Sequence, residues 1–391
     1  MDEKPELVIF SQNKIGGVQN YFYNLIKFDK EDFFKKKWLF SDHVHDKDAR
    51  LPQRYSICEE YIFQYGHEHL YKSTNKIKKL ISDKPGLVLI NHTIELITIH
   101  KHRPKNKTIV YFCHDELYID NALRYNFLID IFITHNIQFH KELKRLLPNN
   151  REKDIYYLPY GIELTRKQDF EENRSGILKI IFIARLHKKK GVYDLLKIHQ
   201  QLTNQDVRFQ LTIIGNGPEK ERLIKESYEH ANIAFFSPTT TAEVLKIASE
   251  NHIYVLPSYL DGIPVALLEA MSVGLVPIIY KFNDGITEVV QNGINGYIVS
   301  SGDFKVMSSI IKKLDDDRDL LTLISKRARQ KVEIDYNAEL CFKNYYNLFK
   351  QFETLKKPFR KKHIKYDGIL DYPFIPQIFR NALRKLKNVI R

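Results

Sequence analysis

The sequence predicts an α/β protein built on two doubly wound parallel sheets, and three observations carry that prediction. Short apolar runs alternate with helical segments along both halves of the chain, the pattern of repeated strand–helix units. The runs are apolar at successive positions, as in strands covered on both faces. Loops carrying Gly, His and charged residues follow the ends of those runs, where open α/β sheets bind their ligands. A chain of 391 residues has room for two ordinary domains.

In the first half, 7–10 is a strand, followed by Gly16-Gly17-Val18-Gln19 and a helix over 20–28 with apolar Tyr21, Leu25 and Phe28 on one face. A glycine pair after a strand lets backbone approach an anion closely, although the same pair also makes a tight turn. The run FFKKKWLF reads as a basic edge entering a second strand, in preference to a membrane finger. Further strands are expected at 87–90 and 109–112, the latter leading into Cys113-His114-Asp115. A neutral imidazole at the carboxyl end of a parallel strand can hydrogen-bond a hydroxyl or a carbonyl. Strands at 129–134 and 155–159 lead to Tyr160-Gly161-Ile162-Glu163, and the polar, charged 164–176 reads as a linker.

A second strand–helix series follows. The strand at 179–184 opens onto Arg185-Leu186-His187-Lys188-Lys189-Lys190-Gly191, where Arg185 and Lys190 are placed to neutralise a diphosphate. The strand at 209–214 runs into Gly215-Asn216-Gly217-Pro218. Lys220 stands where a dinucleotide fingerprint needs its third glycine, which speaks against a dehydrogenase. A strand at 233–236 and a helix at 241–249 precede the central stretch of the chain, YVLPSYLDGIPVALLEAMSVGLVPII at 254–279. There a short strand gives way to a loop with Asp261 and Gly262. Pro264 is expected as the first helical residue, the helix carries Glu269, and Gly274 ends it before another strand. Free N–H groups at that helix start suit a phosphate. Carboxylates on either side suit hydroxyls, because a carboxylate can accept two hydrogen bonds from a diol. Turns at 285–288 and 292–297 flank a short helix, and most of 304–348 is helical.

Composition narrows the class. Apolar residues make up 43% and aromatics 12%, which excludes a disordered chain. No apolar run approaches the roughly 20 residues of a membrane span. The acidic start MDEKPELVIFS enters a strand directly, so no secretory signal is expected. Cys58, Cys113 and Cys341 are far apart and form no C-x-x-C pair, so neither a disulfide nor a zinc site is expected and a reducing cytoplasm fits. The net charge is +13, and between Lys356 and Arg391 eleven Lys and Arg face only Asp367 and Asp371. Charge gathered on a tail indicates an anionic surface as its partner, in preference to a body that grips nucleic acid. Apolar residues from Phe374 to Ile390 recur at three-to-four spacing among Arg380, Arg384, Lys385 and Lys387. That segment is expected to form a basic amphipathic helix that lies on an anionic membrane or packs on the protein's own body.

Taken in order, these motifs resemble the retaining nucleotide-sugar glycosyltransferases of the GT-B fold, the group often called family four. The motifs are Gly16-Gly17-Val18-Gln19, His114-Asp115, Pro159-Tyr160-Gly161-Ile162-Glu163, Arg185 with Lys190-Gly191, Gly215-Asn216-Gly217-Pro218, and Asp261 and Glu269 with seven residues between them, Leu267-Leu268 included. The resemblance covers roughly 7–348. It implies two Rossmann-like domains facing across a cleft: an acceptor domain at 1–163, the linker at 164–176 and a donor domain at 177–335. A helix at 336–355 would cross back to the first domain, with the amphipathic tail at 356–391. It further implies that Asp261 contacts the donor sugar, Glu269 the ribose, and Arg185 and Lys190 the diphosphate. His114 would contact the transferred sugar. Gly16, Gly17, Gly215, Gly262, Ile263, Val265 and Ala266 would line the donor site, the last two through their N–H groups. Val18 and Gln19 would face the acceptor.

The implied reaction is transfer with retention from a nucleotide sugar, UDP-linked by preference, to a glycan or lipid-linked acceptor of bacterial surface polysaccharide or lipopolysaccharide. No cofactor or divalent metal is expected, nor a D-x-D motif to hold one. The expected location is cytoplasmic, with the tail at the inner face of the membrane. The family usually has Glu where this chain has Asp261, which bears on donor identity. The competing expectation is a nucleotide-sugar or polyanion-binding protein that keeps the fold without the chemistry.

Overall fold

The computed structural model describes residues 4–14, 16–44, 55–66, 68–114, 117–164, 176–238, 240–359 and 362. The chain divides into two units, one made of Met1–Leu158 with Phe342–Arg391 and the other of Pro159–Cys341. Each is an α/β unit around one parallel sheet, the architecture of the GT-B class.

Unit 1 begins with β1 (Glu6–Gln12), α1 (Gly17–Lys27), β2 (Lys35–His43), β3 (Glu59–Tyr65), α2 (Leu70–Lys78) and β4 (Gly86–Ile90). It continues with α3 (Thr93–Lys101), β5 (Lys107–Cys113), α4 (Leu117–Arg124), β6 (Ile131–Thr134), α5 (Ile137–Leu146) and β7 (Ile155–Tyr157). The strand order is β3-β2-β1-β4-β5-β6-β7, and all pairings are parallel. The order reverses between β1 and β4, so loops leaving those strands part to opposite faces and open a crevice at the carboxyl edge. Strands covered on both faces must be apolar at successive positions; β4 and β5 are buried along their whole lengths.

Unit 2 contains β8 (Leu178–Ile183), α6 (Val192–Asn204), β9 (Phe209–Ile214), α7 (Lys220–Glu226), β10 (Ile233–Phe236), α8 (Thr241–Ser249) and β11 (Ile253–Leu256). Then come α9 (Val265–Ser272), β12 (Val276–Tyr280), β13 (Tyr297–Val299), α10 (Phe304–Asp316) and α11 (Arg318–Asp335). Its order, β10-β9-β8-β11-β12-β13, places the reversal between β8 and β11. An isolated helix as short as α9 is marginal in water. Burial of Leu267, Leu268 and Met271 stabilises it by roughly 1.5–3 kcal/mol per side chain, as an upper estimate. That packing, reinforced by the Ser325 hydroxyl of α11 donating to the Gly274 carbonyl, fixes the helix that carries Glu269.

From α12 (Ala338–Phe349) and α13 (Phe352–Leu355) the chain completes unit 1. Phe342 and Tyr345 pack on Tyr21 of α1, with ring centroids 5.7 and 5.9 Å away, and the Tyr346 hydroxyl donates to Leu25 O at 2.8 Å. Beyond α12 the chain forms a strap. Lys357 donates its N–H to Asp130 at 3.0 Å and its ammonium to Asp154 at 2.7 Å. The Arg103 guanidinium lies over the Phe359 ring at 5.0 Å.

Several elements differ from the sequence expectation: α3, α4, α5 and α7 are not singled out in it, and residues 285–288, expected as a turn beside a short helix, are themselves a 3-10 helix with no helix between them and 292–297. β3 is not expected from sequence: its apolar run is only Tyr61-Ile62-Phe63 between Glu60 and Gln64, and Tyr61 and Ile62 are exposed. α2 is polar throughout most of its surface, and β13, three residues long, starts at the last residue of the expected turn at 292–297. Most of the expected linker, 165–175, and the amphipathic helix of 374–390 lie outside the described residues.

Candidate active site

Unit 2 brings the loops after β8 and β11 together at the β8/β11 reversal. After β8, residues Lys188–Lys190 form a single 3-10 turn closed by Gly191 at φ 70°. A Cβ on Gly191 would lie 1.8 Å from the Pro257 carbonyl oxygen, so both the positive φ and the contact require glycine. That contact seats the basic loop against the acidic one. Tyr259 N donates to Lys189 O at 2.8 Å, and the Ser258 hydroxyl reaches Lys189 O at 3.3 Å. Lys190 forms an ion pair with Asp261, and the same ammonium donates to Leu260 O at 3.4 Å.

Two residues that were not singled out from sequence brace this arrangement. Asn283 donates through Nδ2 to Asp261 O at 2.8 Å and to Gly262 O at 3.1 Å, while its Oδ1 accepts from Ile286 N at 2.9 Å. Asp194, buried in the first turn of α6, accepts from the Tyr259 hydroxyl at 2.5 Å, the Tyr280 hydroxyl at 3.2 Å and the Lys197 ammonium at 2.8 Å. The hydrogen bond to Asp194 pushes the Tyr259 hydroxyl up to about 12. The only sequence signal for Asp194 is its place three residues after Gly191. Nothing local marks Asn283.

Pro264, expected as the first helical residue, is instead the cap. Its ψ of 123° is extended, and its carbonyl accepts from Leu267 N at 3.0 Å. The N–H groups of Val265 and Ala266 therefore open the helix, Ile263 and Gly262 precede them, and Glu269 follows one turn on, with 8% of its surface exposed. Below, Tyr254 is fully buried and donates to Ile183 O at 3.2 Å. Burial raises its hydroxyl pKa well above the ordinary value, and the charges of Asp261 and Glu269 add to that. Arg185 is exposed at the carboxyl end of β8. Gly215 lies against this loop: a Cβ there would stand 2.0 Å from Ala184 O, so the glycine is needed for loop packing whatever the ligand.

Contrary to the expectation, the chain does contain D-x-D spacings: Asp46-Lys47-Asp48, outside the described residues, and the run Asp315-Asp316-Asp317, which continues to Asp319. The latter run lies where α10 meets α11, away from these loops in sequence and engaged elsewhere. Asp315 pairs with Arg318, Asp316 with Lys312, and Asp317 caps α11 by accepting from Leu320 N at 2.9 Å.

In unit 1 the carboxyl edge is lined by histidines. His92 follows β4, His114 follows β5 and His135 follows β6. His114 and His135 stack with centroids 5.1 Å apart, and Tyr118 meets the rings of both His114 and His92, at 5.3 and 5.7 Å. Burial holds His114 well below the ordinary imidazole value, with the charges of His135 and His92 acting the same way. Burial also lowers His92 and His135 to about 3. Glu95 accepts from Asn91 N and His92 N at 2.6 and 2.8 Å, yet burial still pushes its carboxyl up to about 8. Gly16 and Gly17 lead into α1, where Val18 is half-buried. Gln19 is buried and donates to Gln12 O at 2.8 Å, so its amide nitrogen shapes the β1–α1 loop. Asp115 lies outside the described residues.

Residues 165–331 match the family model described as Glycosyl transferases group 1.

The matched segment contains Arg185, Lys190, Asp261 and Glu269. The chain is 33% identical over 193 residues to the putative colanic acid biosynthesis glycosyltransferase WcaL of Escherichia coli, covering 46% of this chain and 47% of that one. It is 30% identical over 178 residues to the amylovoran biosynthesis glycosyltransferase AmsK of Erwinia amylovora, covering 42% and 43%. The chain thus spans about half the length of the curated relatives it matches. Among solved structures, S. aureus TarM aligns with a TM-score of 0.73 at 11% identity, covering 89% of this chain and 100% of that one. Anabaena Alr3699/HepE in complex with UDP-glucose aligns at 0.70 and 14% identity, covering 89% and 100%. At such identities the likeness is one of fold, and it extends over both units where the group 1 match covers only the second.

Proposed function

We propose that the chain is a glycosyltransferase that moves a sugar from a nucleoside-diphosphate donor, UDP-linked by preference, to a glycan or lipid-linked acceptor with retention at the anomeric carbon. The observation that carries this reading is the convergence at the β8/β11 reversal of a basic loop, an acidic loop and the open start of α9, all within the group 1 segment. Arg185, Lys190 and the N–H groups of Val265 and Ala266 are assigned to the diphosphate, and Glu269 to the ribose. Asp261 stands between the phosphates and the sugar.

Breaking the glycosidic bond puts negative charge on the departing phosphate. Fixed cations and a helix start stabilise that charge more in the transition state than in the ground state, which is electrostatic catalysis. The leaving phosphate takes the acceptor's proton, so no metal is assigned to the step. Unit 1 is assigned to the acceptor, with neutral His114 as a hydrogen-bonding partner for hydroxyls and the β1–α1 loop, including Val18 and Gln19, beside it. The UDP ligands of the fold neighbours support the choice of base. The colanic acid and amylovoran names support a bacterial surface polysaccharide as product. Among the described residues no helix is long and apolar enough to cross a membrane. The basic tail is assigned to peripheral contact with an anionic cytoplasmic membrane surface, where a lipid-linked acceptor would lie.

A melting panel with UDP, GDP, ADP, CMP and NAD tests the donor site. A ligand at about 100 times its Kd adds roughly 2.7 kcal/mol, so one nucleoside diphosphate is expected to raise Tm visibly, and Glu269→Ala to abolish the rise. Arg185→Ala is expected to cut turnover more than tenfold. Stabilisation of the parent protein without sugar transfer to any acceptor would favour a binding protein over an enzyme.

A further inference from the structure

We infer that Asp261 is a positioning residue for Lys190, aiming the ammonium at the donor's phosphates, and that it does not read the sugar's hydroxyls. The inference rests on the donor-site reading above and changes the part that one carboxylate plays in it.

Both oxygens of Asp261 are engaged inside the protein. One takes the Lys190 ammonium. The other accepts from Gly262 N at 3.1 Å. A carboxylate that reads two neighbouring hydroxyls must turn both oxygens towards the sugar. Here that would strip Lys190 of its counter-charge in a setting where the two side chains are only 23% and 19% exposed. At such burial the attraction is less screened than at an open surface, and separating the pair is correspondingly unfavourable. The short arm of aspartate contributes, because it holds the carboxylate over its own loop. That loop is itself immobilised, with Asp261 O and Gly262 O on Asn283 and the Tyr259 hydroxyl on Asp194.

The lysine shows the other half of the argument. An ammonium has three N–H donors on a stem with four rotatable bonds. In this chain one N–H goes to Asp261 and a second to Leu260 O. Two anchors on one loop fix the direction of the third, and Gly191 seats the base of the lysine against Pro257. A lysine held this way meets a phosphate oxygen without first losing the rotamer freedom that a solvated lysine loses on binding. The pairing lowers the net positive charge of the loop.

The two roles differ in which ligands they affect. A hydroxyl reader acts on UDP-sugars and leaves UDP alone; a lysine positioner acts equally on both. Titration calorimetry on the full chain would therefore compare UDP with UDP-glucose, UDP-galactose and UDP-N-acetylglucosamine for the parent, Asp261→Asn, Lys190→Met and the double variant. The expected result is a similar loss, about tenfold, in affinity for UDP and for whichever UDP-sugars the parent binds in each single variant. The double variant should lose no more than Lys190→Met alone, with the ligand-free Tm little changed. Weakened UDP-sugar binding with UDP binding intact in Asp261→Asn would overturn the inference, as would additive losses in the double variant. If Asp261→Asn folds poorly, Asp261→Glu, which keeps the charge, should retain most of the UDP affinity, and its loss there would also overturn the inference. A parent chain that binds none of these nucleotides would remove the donor-site reading and this inference with it, whereas parent binding with intact UDP affinity in Asp261→Asn removes the inference alone.

Discussion

The two sheets reverse their strand order in the same way, yet their carboxyl edges differ in electrostatic character. In unit 1 the loops after β4, β5 and β6 carry half-buried His92 and fully buried His114 and His135, and desolvation lowers all three imidazoles. In unit 2 the loops after β8 and β11 carry Arg185, the Lys190–Asp261 pair and, one turn into α9, Glu269. Strand order decides where a ligand can sit. The loops decide what it can be: neutral imidazoles suit hydroxyls, and a basic loop beside a helix start suits phosphates.

Breaking the joint between the two loops of unit 2 is expected to have the largest effect. Gly191→Ala forces a Cβ into the Pro257 carbonyl at a φ that L-residues avoid. A cost of roughly 2–4 kcal/mol is expected from strain and displacement, with the nucleotide-induced rise in Tm abolished while unit 1 melts as before. Trp38, the only tryptophan, reports on unit 1 by itself. It is buried and donates to the Ser11 hydroxyl at 2.9 Å, so its fluorescence separates the two outcomes.

Acid tests the other edge. A histidine whose folded value lies below the unfolded one near 6.5 takes up a proton on unfolding, so its stabilising contribution is lost as pH falls below that value. Glu95 acts in the opposite sense. Its folded value of about 8 means that the folded state holds the extra proton between the unfolded carboxyl value and 8, which adds stability as pH falls through that window. Three histidines against one glutamate leave about two protons taken up on unfolding. Unit 1 is therefore expected to lose up to about 2.7 kcal/mol per pH unit between roughly pH 6.5 and 5. Urea melts followed by Trp38 fluorescence would measure this, and a flat profile would mean that the histidine edge is hydrated.

Salt sharpens the contrast with a smaller effect. Nucleoside-diphosphate affinity is expected to fall about five- to tenfold between 0.05 and 0.5 M salt as the half-exposed charges of unit 2 are screened. The acid profile of unit 1 should hardly move, because burial rather than ion pairing sets it. The smallest effect is expected from Tyr259→Phe, which removes one hydrogen bond to Asp194, a net change of about 1 kcal/mol. A two- to fivefold weaker UDP affinity with the overall Tm nearly unchanged would place that bond in the alignment of the loops. An equal fall in Tm without ligand would make it a general stabiliser.

Much of this was legible in the chain. Asp261 and Glu269 are tied to one strand–loop–helix by covalent spacing, and the apolar runs of β1, β4, β5, β8, β9, β11 and β12 announced both sheets. Asp194 and Asn283 were not legible, because their partners lie 65 and 22 residues away and no local pattern encodes such distances. Edge position alone does not hide a strand: the edge strands β7 and β10 are expected from sequence, whereas β3, in which Glu59, Glu60 and Gln64 bracket a three-residue apolar run, is not. Gly215 was recognised for its place in a motif, while the clash with Ala184 O that explains it depends on two loops meeting in space.

Unit 1 is discontinuous in sequence. Tyr21 and Leu25 complete their packing only when Phe342, Tyr345 and Tyr346 arrive, and the whole of unit 2, from Pro159 to Cys341, is made in between. At the usual 5–20 residues per second of synthesis, the α1 face waits for roughly 15–65 s on the ribosome without its aromatic cover. Unit 2, continuous in sequence, can finish folding first. The part of the protein translated earliest is thus the last to close, and a nascent chain halted before α12 would expose an apolar face that chaperones recognise.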